Sequence, residues 1–78
     1  MTPALPTVTA RELIRALERA GFEFRRQRGS HCIYRHAGTG KLVSVPVHSG
    51  DVPKGTLRQI LRTADISPER FLELLKGS

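Results

Sequence analysis

The sequence predicts an α+β fold in which a helix, a three-stranded antiparallel sheet, a second helix and a short C-terminal helix follow one another. Apolar residues recur at helical spacing near both ends of the 78-residue chain, which is typical of amphipathic helices. Between these stretches, apolar and polar residues alternate as they do in half-buried strands. Short glycine-containing turns separate the strands, and connections of that length join antiparallel neighbours.

The first helix is predicted over residues 10–20. Thr9 and Glu12 have the spacing of a capping box, in which each side chain accepts a hydrogen bond from the backbone N–H of the other residue. Gly21 follows the periodic stretch, and glycine commonly ends a helix because it adopts the left-handed conformation without strain.

Residues 1–8 precede this helix and contain two prolines without any periodicity. We therefore predict a flexible N-terminal arm over residues 1–8 and a single domain over residues 9–76. A chain of 78 residues also buries too little surface for a second core or a deep pocket. We expect its function to lie on an exposed face.

A tight hairpin is predicted next. Residues 22–28 begin with alternating apolar and charged side chains, which indicates a strand. Gly29-Ser30 reverses the chain within two residues, and residues 31–36 form the second strand.

The sequence leaves open which face of the second strand points at the core. Ile33 shares a face with His31, whereas Tyr34 shares one with Cys32, and alternation suits either pair. We favour Ile33 inward, with the twist of the hairpin bringing His31 out at the rim.

The third strand is predicted over residues 41–48, after a turn at residues 37–40. Its apolar face carries Val43, Val45 and Val47. Pro46 has no N–H to donate to a neighbouring strand, so we expect this strand at an edge of the sheet.

Two helices complete the predicted fold after a loop at residues 49–51. Pro53 suits the first turn of a helix over residues 53–63, and Ser67 with Pro68 suits the start of the short third helix. Their apolar faces are Leu57, Ile60, Leu61 and Ala64 in the second helix, and Phe71, Leu72 and Leu75 in the third.

The charge of the chain indicates an acidic partner such as nucleic acid. Thirteen Lys and Arg against seven Asp and Glu give a net charge of +6. The segment from Phe24 to Gly50 contains no Asp or Glu. It contains five Lys and Arg, namely Arg25, Arg26, Arg28, Arg35 and Lys41, and all three histidines. We therefore expect this segment to bind a polyanion.

Targeting signals are not evident in the sequence. Cys32 is the only cysteine, so no internal disulfide is expected, and no apolar run approaches the roughly 18 residues of a membrane span. The N-terminus also lacks a basic-then-apolar signal segment. The sequence predicts a cytoplasmic protein that does not enter a membrane.

His31 is the first candidate for catalysis. An imidazole takes or gives a proton near neutral pH, as RNA cleavage through the 2′-hydroxyl requires. The candidates to hold the phosphate and offset its growing charge are Arg25, Arg26, Arg28 and Arg35. Ser30 is a candidate to orient the phosphate or the imidazole. In the alternative interpretation His31 is only a polar residue at the hairpin, and the chain is a non-catalytic module that binds structured RNA.

A metal or other cofactor is not expected. Magnesium sites use carboxylates, which this segment lacks, and three histidines with one cysteine give no paired-ligand spacing for zinc. His36 and His48 are interpreted as surface residues, although His48 approaches the site if the strand order permits. Lys54 lies in the first turn of the second helix, where backbone N–H groups favour a phosphate, but a solvated lysine is the simpler interpretation. The arginines of the first and second helices are equally well explained as solvated surface.

Four stretches in order resemble the HicA (YcfA-like) toxins of bacterial and archaeal toxin–antitoxin pairs. They are Gly21-Phe22, Arg28-Gly29-Ser30-His31, Val45-Pro46-Val47-His48, and Pro53-Lys54-Gly55-Thr56-Leu57 ahead of Ile60-Leu61. The resemblance covers about Val8 to Leu75.

The resemblance implies a double-stranded-RNA-binding-domain-like fold and an mRNA interferase that cuts RNA without a metal and blocks translation. The functional histidine of that family follows the Gly-Ser of the hairpin, which implies a catalytic role for His31. Gly29 and Ser30 match the same motif, and we expect them to contact RNA together with Arg26, Arg28 and Lys54. The family also implies a HicB-type antitoxin that covers the active face. The first seven residues extend upstream of the usual start of the family domain.

Overall fold

A computed structural model describes residues 3–48 and 50–77. Its elements are α1 (Ala10–Arg19), β1 (Phe22–Arg28), β2 (His31–His36), β3 (Leu42–Pro46), α2 (Lys54–Ala64) and α3 (Pro68–Leu75). This order confirms the predicted α+β layout. The first two residues of the predicted arm and Ser49 of the predicted loop lie outside the described residues.

Local hydrogen bonds explain where the helices begin. Thr9 N donates to Glu12 Oε1 at 2.9 Å, and Glu12 N donates to Thr9 Oγ1 at 3.2 Å, which forms the predicted capping box. Ser67 Oγ accepts from Arg70 N at 3.1 Å at the start of α3. Pro53 precedes α2 as its N-cap and provides no side-chain hydrogen bond. Gly21 ends α1 with a φ of +101°.

The sheet has the order β1-β2-β3 with both neighbouring pairs antiparallel. Pro46 therefore lies on an edge strand, as predicted. The strand that contains it is shorter than predicted, because regular pairing begins at Leu42 and ends at Pro46.

The second strand points the other way from our expectation. Cys32 pairs with Val45, and Tyr34 pairs with Val43. Paired residues of an antiparallel ladder project to the same side, so the buried valines bring Cys32 and Tyr34 into the core with them. The prediction of Ile33 inward is wrong, and Ile33 shares the open face with His31.

The helices cover one face of the sheet. Helix α1 packs against β1 and β3, α2 packs against β3, and α3 packs against α1. The largest fully buried side chains are Phe71, Leu13, Leu17, Leu57, Leu74 and Val45. Leu74 was missing from the predicted apolar face of α3, and the predicted Leu72 and Leu75 are only half-buried.

The N-terminal segment differs from the loose arm that we predicted. Leu5 and Val8 are 8% and 2% exposed and belong to the core. Val52 N donates to Val8 O at 2.8 Å, and Thr9 forms a bridge with Asp51. Because residues 1–8 show no periodicity, the sequence does not indicate that these two apolar side chains join the core.

Membrane insertion by a helix has no support in the described residues, since none of their helices has the length and apolar character to cross a bilayer.

Candidate active site on the open sheet face

The open face is the side of the sheet that the helices leave uncovered. Its residues follow from the strand register, which gives three rows across β1, β2 and β3. The rows are Arg28–His31–Pro46, Arg26–Ile33–Ser44 and Glu23–Arg35–Leu42. The first row lies at the hairpin turn, and the third row lies at the opposite end of the sheet.

A β-bulge in β1 determines which arginines share this face with His31. Phe24 pairs with Tyr34 and Arg26 pairs with Ile33, so Arg25 is an extra residue without a partner on β2. In a regular ladder, Arg25 would follow Glu23 onto the open face. The bulge shifts the alternation and brings Arg26 and Arg28 there instead.

His31 is the centre of the row at the turn. It is exposed, and it pairs with Arg28 on one side and Pro46 on the other. No hydrogen bond to another described residue fixes its ring. A bound phosphate can therefore reach the imidazole and the Arg28 guanidinium from the same side.

Electrostatically, the hairpin end of the open face is positive. Among the described residues, the ion pairs are Lys41–Asp65 at 3.5 Å and Arg70–Glu73 at 3.1 Å, so no carboxylate pairs with Arg26 or Arg28. Glu23 is the only carboxylate in the three rows, and it lies in the row farthest from His31. The cations beside His31 are available to an anion from solution.

Arg35 does not share a phosphate with His31. It lies four residues along β2, or about 13 Å away. Its side chain is half-buried and extends over the next turn, where a Cβ on Gly40 would lie 3.2 Å from Arg35 Nη2.

The Gly-Ser turn is open to a ligand. Gly29 has a φ of +58°, and no atom lies within 4 Å of the position of an added Cβ. Gln27 Nε2 donates to Gly29 O at 3.0 Å, and Val47 N donates to Ser30 O at 2.6 Å, which ties the turn to the chain beyond β3. His48 follows Val47 and lies at this end of the sheet.

His36 is a structural residue rather than the surface residue that we predicted. Its Nδ1 accepts hydrogen bonds from Gly38 N and Thr39 N, each at 3.0 Å. The Nε2 atom lies 3.0 Å from Ala20 O, so the neutral tautomer with the proton on Nε2 satisfies all three contacts. The ring also packs edge-on against Phe22 with centroids 5.0 Å apart.

Lys54 lies at the same end of the molecule as His31 but in the helical layer. The Lys41–Asp65 ion pair holds the C-terminal end of α2 beside the start of β3. Helix α2 packs against β3, so its other end, where Lys54 lies, points toward the hairpin end of the sheet.

Of the residues expected to contact RNA, Arg26, Arg28, Gly29 and Ser30 lie together with His31 at the hairpin end. The Arg28–His31 pair was foreseeable, because residues that flank a two-residue turn face each other. The bulge could not be predicted, because residues 25–28 are all polar and show no alternation.

No group of three possible metal ligands occurs in residues 3–48 and 50–77.

A family profile described as HicA toxin of bacterial toxin-antitoxin matches residues 10–66. This range covers most of the chain, from the start of α1 to the residue before Ser67, and contains every residue of the open-face rows. No curated protein matched the chain.

Proposed function

Because the chain belongs to the HicA toxin family, we propose that it is the toxin of a toxin–antitoxin pair and that it acts as an mRNA interferase. In this proposal it cleaves RNA without a metal, in the cytoplasm, and so blocks translation. His31 is the catalytic residue, and Arg26, Arg28, Gly29, Ser30 and Lys54 bind RNA.

One observation carries the proposal: His31 and Arg28 face each other across the hairpin, both are exposed, and no carboxylate of the described residues forms an ion pair with Arg28. Cβ atoms of such a pair lie about 5 Å apart. One phosphate of an RNA backbone therefore fits against both side chains, which is the arrangement that cleavage at that phosphate requires.

The reaction is a transesterification within the RNA. The 2′-oxygen forms a bond to the adjacent phosphorus as the bond from phosphorus to the 5′-oxygen breaks. His31 either takes the proton of the 2′-hydroxyl or gives a proton to the departing 5′-oxygen, and water serves the other oxygen. Arg28 stabilises the negative charge that develops on the phosphate oxygens. The products end in a 2′,3′-cyclic phosphate and a 5′-hydroxyl.

A HicB-type antitoxin is the expected protein partner. The hairpin end of the open face combines exposed cations with half-buried Ile33 and Pro46. An acidic protein surface that covered this end would exclude RNA from His31.

The test is cleavage of labelled RNA by the purified chain in excess EDTA, followed by analysis of the product ends. Metal-free cleavage with 2′,3′-cyclic phosphate ends supports the enzyme. Retention of intact RNA supports the non-catalytic binding module instead. Loss of activity in His31→Ala at equal soluble yield assigns the role to His31.

A further inference from the structure

Helix α2 carries a basic stripe that the site on the open face does not include. Lys54, Arg58 and Arg62 are spaced four residues apart, so they lie along one side of the helix. All three are exposed, and α2 contains no Asp or Glu. We call these three residues the α2 stripe.

The α2 stripe is unfavourable for the isolated helix. Cations four residues apart repel each other, and Lys54 places a positive charge at the end of the helix dipole that favours a negative one. The other two helices follow the opposite rule, with Glu12 in the first turn of α1 and Glu69 in the first turn of α3. Asp65, just after α2, pairs with Lys41.

The stripe leads toward the hairpin end of the open face. Eight residues of helix separate Arg62 from Lys54, which is about 12 Å along the axis. Asp51, three residues before Lys54, forms a bridge with Thr9 at the start of α1. The other end of α1 contacts His36, which lies at the opposite end of β2 from His31, so Lys54 lies toward the His31 end of the molecule. The described chain measures 35 × 30 × 20 Å along its principal axes, so an RNA strand of several nucleotides can reach from the stripe to His31.

On one side of the α2 stripe, the surface of the helical layer is formed by uncharged side chains. Pro3, Ala4 and Leu5 line a groove of about 450 Å³ together with Arg58 and Arg62. On this side of the stripe, an RNA backbone would meet uncharged side chains.

We infer that the α2 stripe binds the RNA segment that flanks the cleavage site and guides it around the end of the molecule to His31. The inference rests on the proposed function for the identity of the polyanion. Two observations support the stripe itself: the three cations form a row without a carboxylate among them, and the row runs toward the hairpin end. The stripe would contact phosphates and not bases, so it would add affinity without sequence preference.

Binding to a 2′-O-methyl RNA oligonucleotide tests the inference, because that RNA lacks the attacking hydroxyl and stays intact. The test variant is Arg58→Gln/Arg62→Gln in the full chain. The matched control is Arg11→Gln/Arg15→Gln on α1, which removes the same charge at the same spacing but beside Glu12 and Glu18. Fluorescence anisotropy over a range of salt concentrations gives both the Kd and the number of phosphates engaged.

We expect the α2 variant to bind about tenfold more weakly near 0.15 M salt and to lower the salt slope by about 1.4, the value for two phosphates of a single strand. The α1 control should change the slope by less than half as much. With cleavable RNA, the α2 variant should raise KM and leave kcat unchanged. Its thermal stability should be equal or higher, because repulsion within α2 is reduced.

Equal losses in the two variants would mean that binding depends on net charge alone and would overturn the inference. An unchanged Kd in the α2 variant would also overturn the inference. The stripe would then be a candidate binding site for an acidic protein instead of RNA. Failure of the proposed function is a separate result: if His31→Ala cleaves RNA normally, or the parent chain cleaves none, the binding comparison still decides the role of the stripe.

Discussion

Replacing Arg28 with glutamine is expected to slow RNA cleavage far more than replacing Arg25 with glutamine. The two substitutions remove the same charge from the same strand, and both side chains are exposed. Arg28 pairs with His31, whereas Arg25 is the unpaired residue of the bulge. Comparing the two cleavage rates therefore distinguishes the effect of the position opposite His31 from the effect of losing one positive charge.

The size of the Arg28 effect follows from the cross-strand geometry. A guanidinium about 4 Å from a unit charge contributes about 4 kcal/mol at an effective dielectric constant of about 20. Water on the open face weakens this attraction, and only the charge that develops beyond the ground state lowers the barrier. We therefore expect about 1.4 to 2.7 kcal/mol, or ten- to a hundredfold slower cleavage. For Arg25→Gln we expect less than about a threefold change, since solvent and salt screen a more distant charge.

The assay is single-turnover cleavage of a fluorescent RNA with protein in excess, in EDTA and at about 0.15 M salt. Excess protein makes the observed rate report the cleavage step rather than binding. If Arg25→Gln slowed cleavage as much as Arg28→Gln, the position opposite His31 would not determine which arginine assists cleavage, and the role given to Arg28 would be wrong.

Three further predictions concern stability, each measured by equilibrium unfolding. His36→Ala should lower the free energy of unfolding by about 2 to 3 kcal/mol through the lost hydrogen bonds and ring contact, whereas the exposed His31→Ala should change it by less than about 0.5 kcal/mol; equal effects would contradict the structural role of His36. Leu5→Ala should lower the free energy of unfolding by about 2 kcal/mol. If it lowered this free energy no more than an Ala4→Ser control does, residues 1–8 would be a loose arm, as the sequence predicted. Burial, with smaller contributions from Glu18 and Cys32, raises the pKa of Tyr34 above its ordinary value of 10.0. The folded state therefore holds this proton more tightly, so stability present below pH 10 should fall as pH rises through the folded pKa, by up to about 1.4 kcal/mol per pH unit. If the free energy of unfolding of Tyr34→Phe fell with pH above pH 10 as steeply as that of the parent chain, Tyr34 would not be the cause.

Local sequence signals determined most of the fold. The limits of β1 and β2 match the predicted residues 22–28 and 31–36, because a two-residue turn fixes both strand ends. The starts of α1 and α3 match because capping depends on a few adjacent residues. The same turn chemistry brought Arg28 opposite His31.

Features that depend on distant contacts were not predictable. The inward face of β2 depends on pairing with Val43 and Val45, and alternation within β2 alone favours neither side. Leu5 is buried through contacts with the core cluster, which exists only in the folded chain. His36 contacts Ala20, which is distant in sequence, so its structural role emerges only from the fold.

Which arginines lie on the open face of the sheet could not be predicted from the sequence either. The charge of the segment was evident from composition, but whether Arg25 or Arg26 shares the open face with His31 depends on one bulge. The sequence of β1 contains no signal for the bulge, because the bulge is a shift in the pairing register between β1 and β2.

The most direct test of the catalytic role of His31 is the comparison of the parent chain with His31→Ala on the same RNA in excess EDTA. The parent should cleave the RNA and leave 2′,3′-cyclic phosphate ends, and the variant should not cleave it, while both bind the 2′-O-methyl RNA with the same affinity. Cleavage by His31→Ala at the parental rate would contradict the catalytic role of His31, and a parent chain that binds RNA and leaves it intact would contradict the proposed interferase activity.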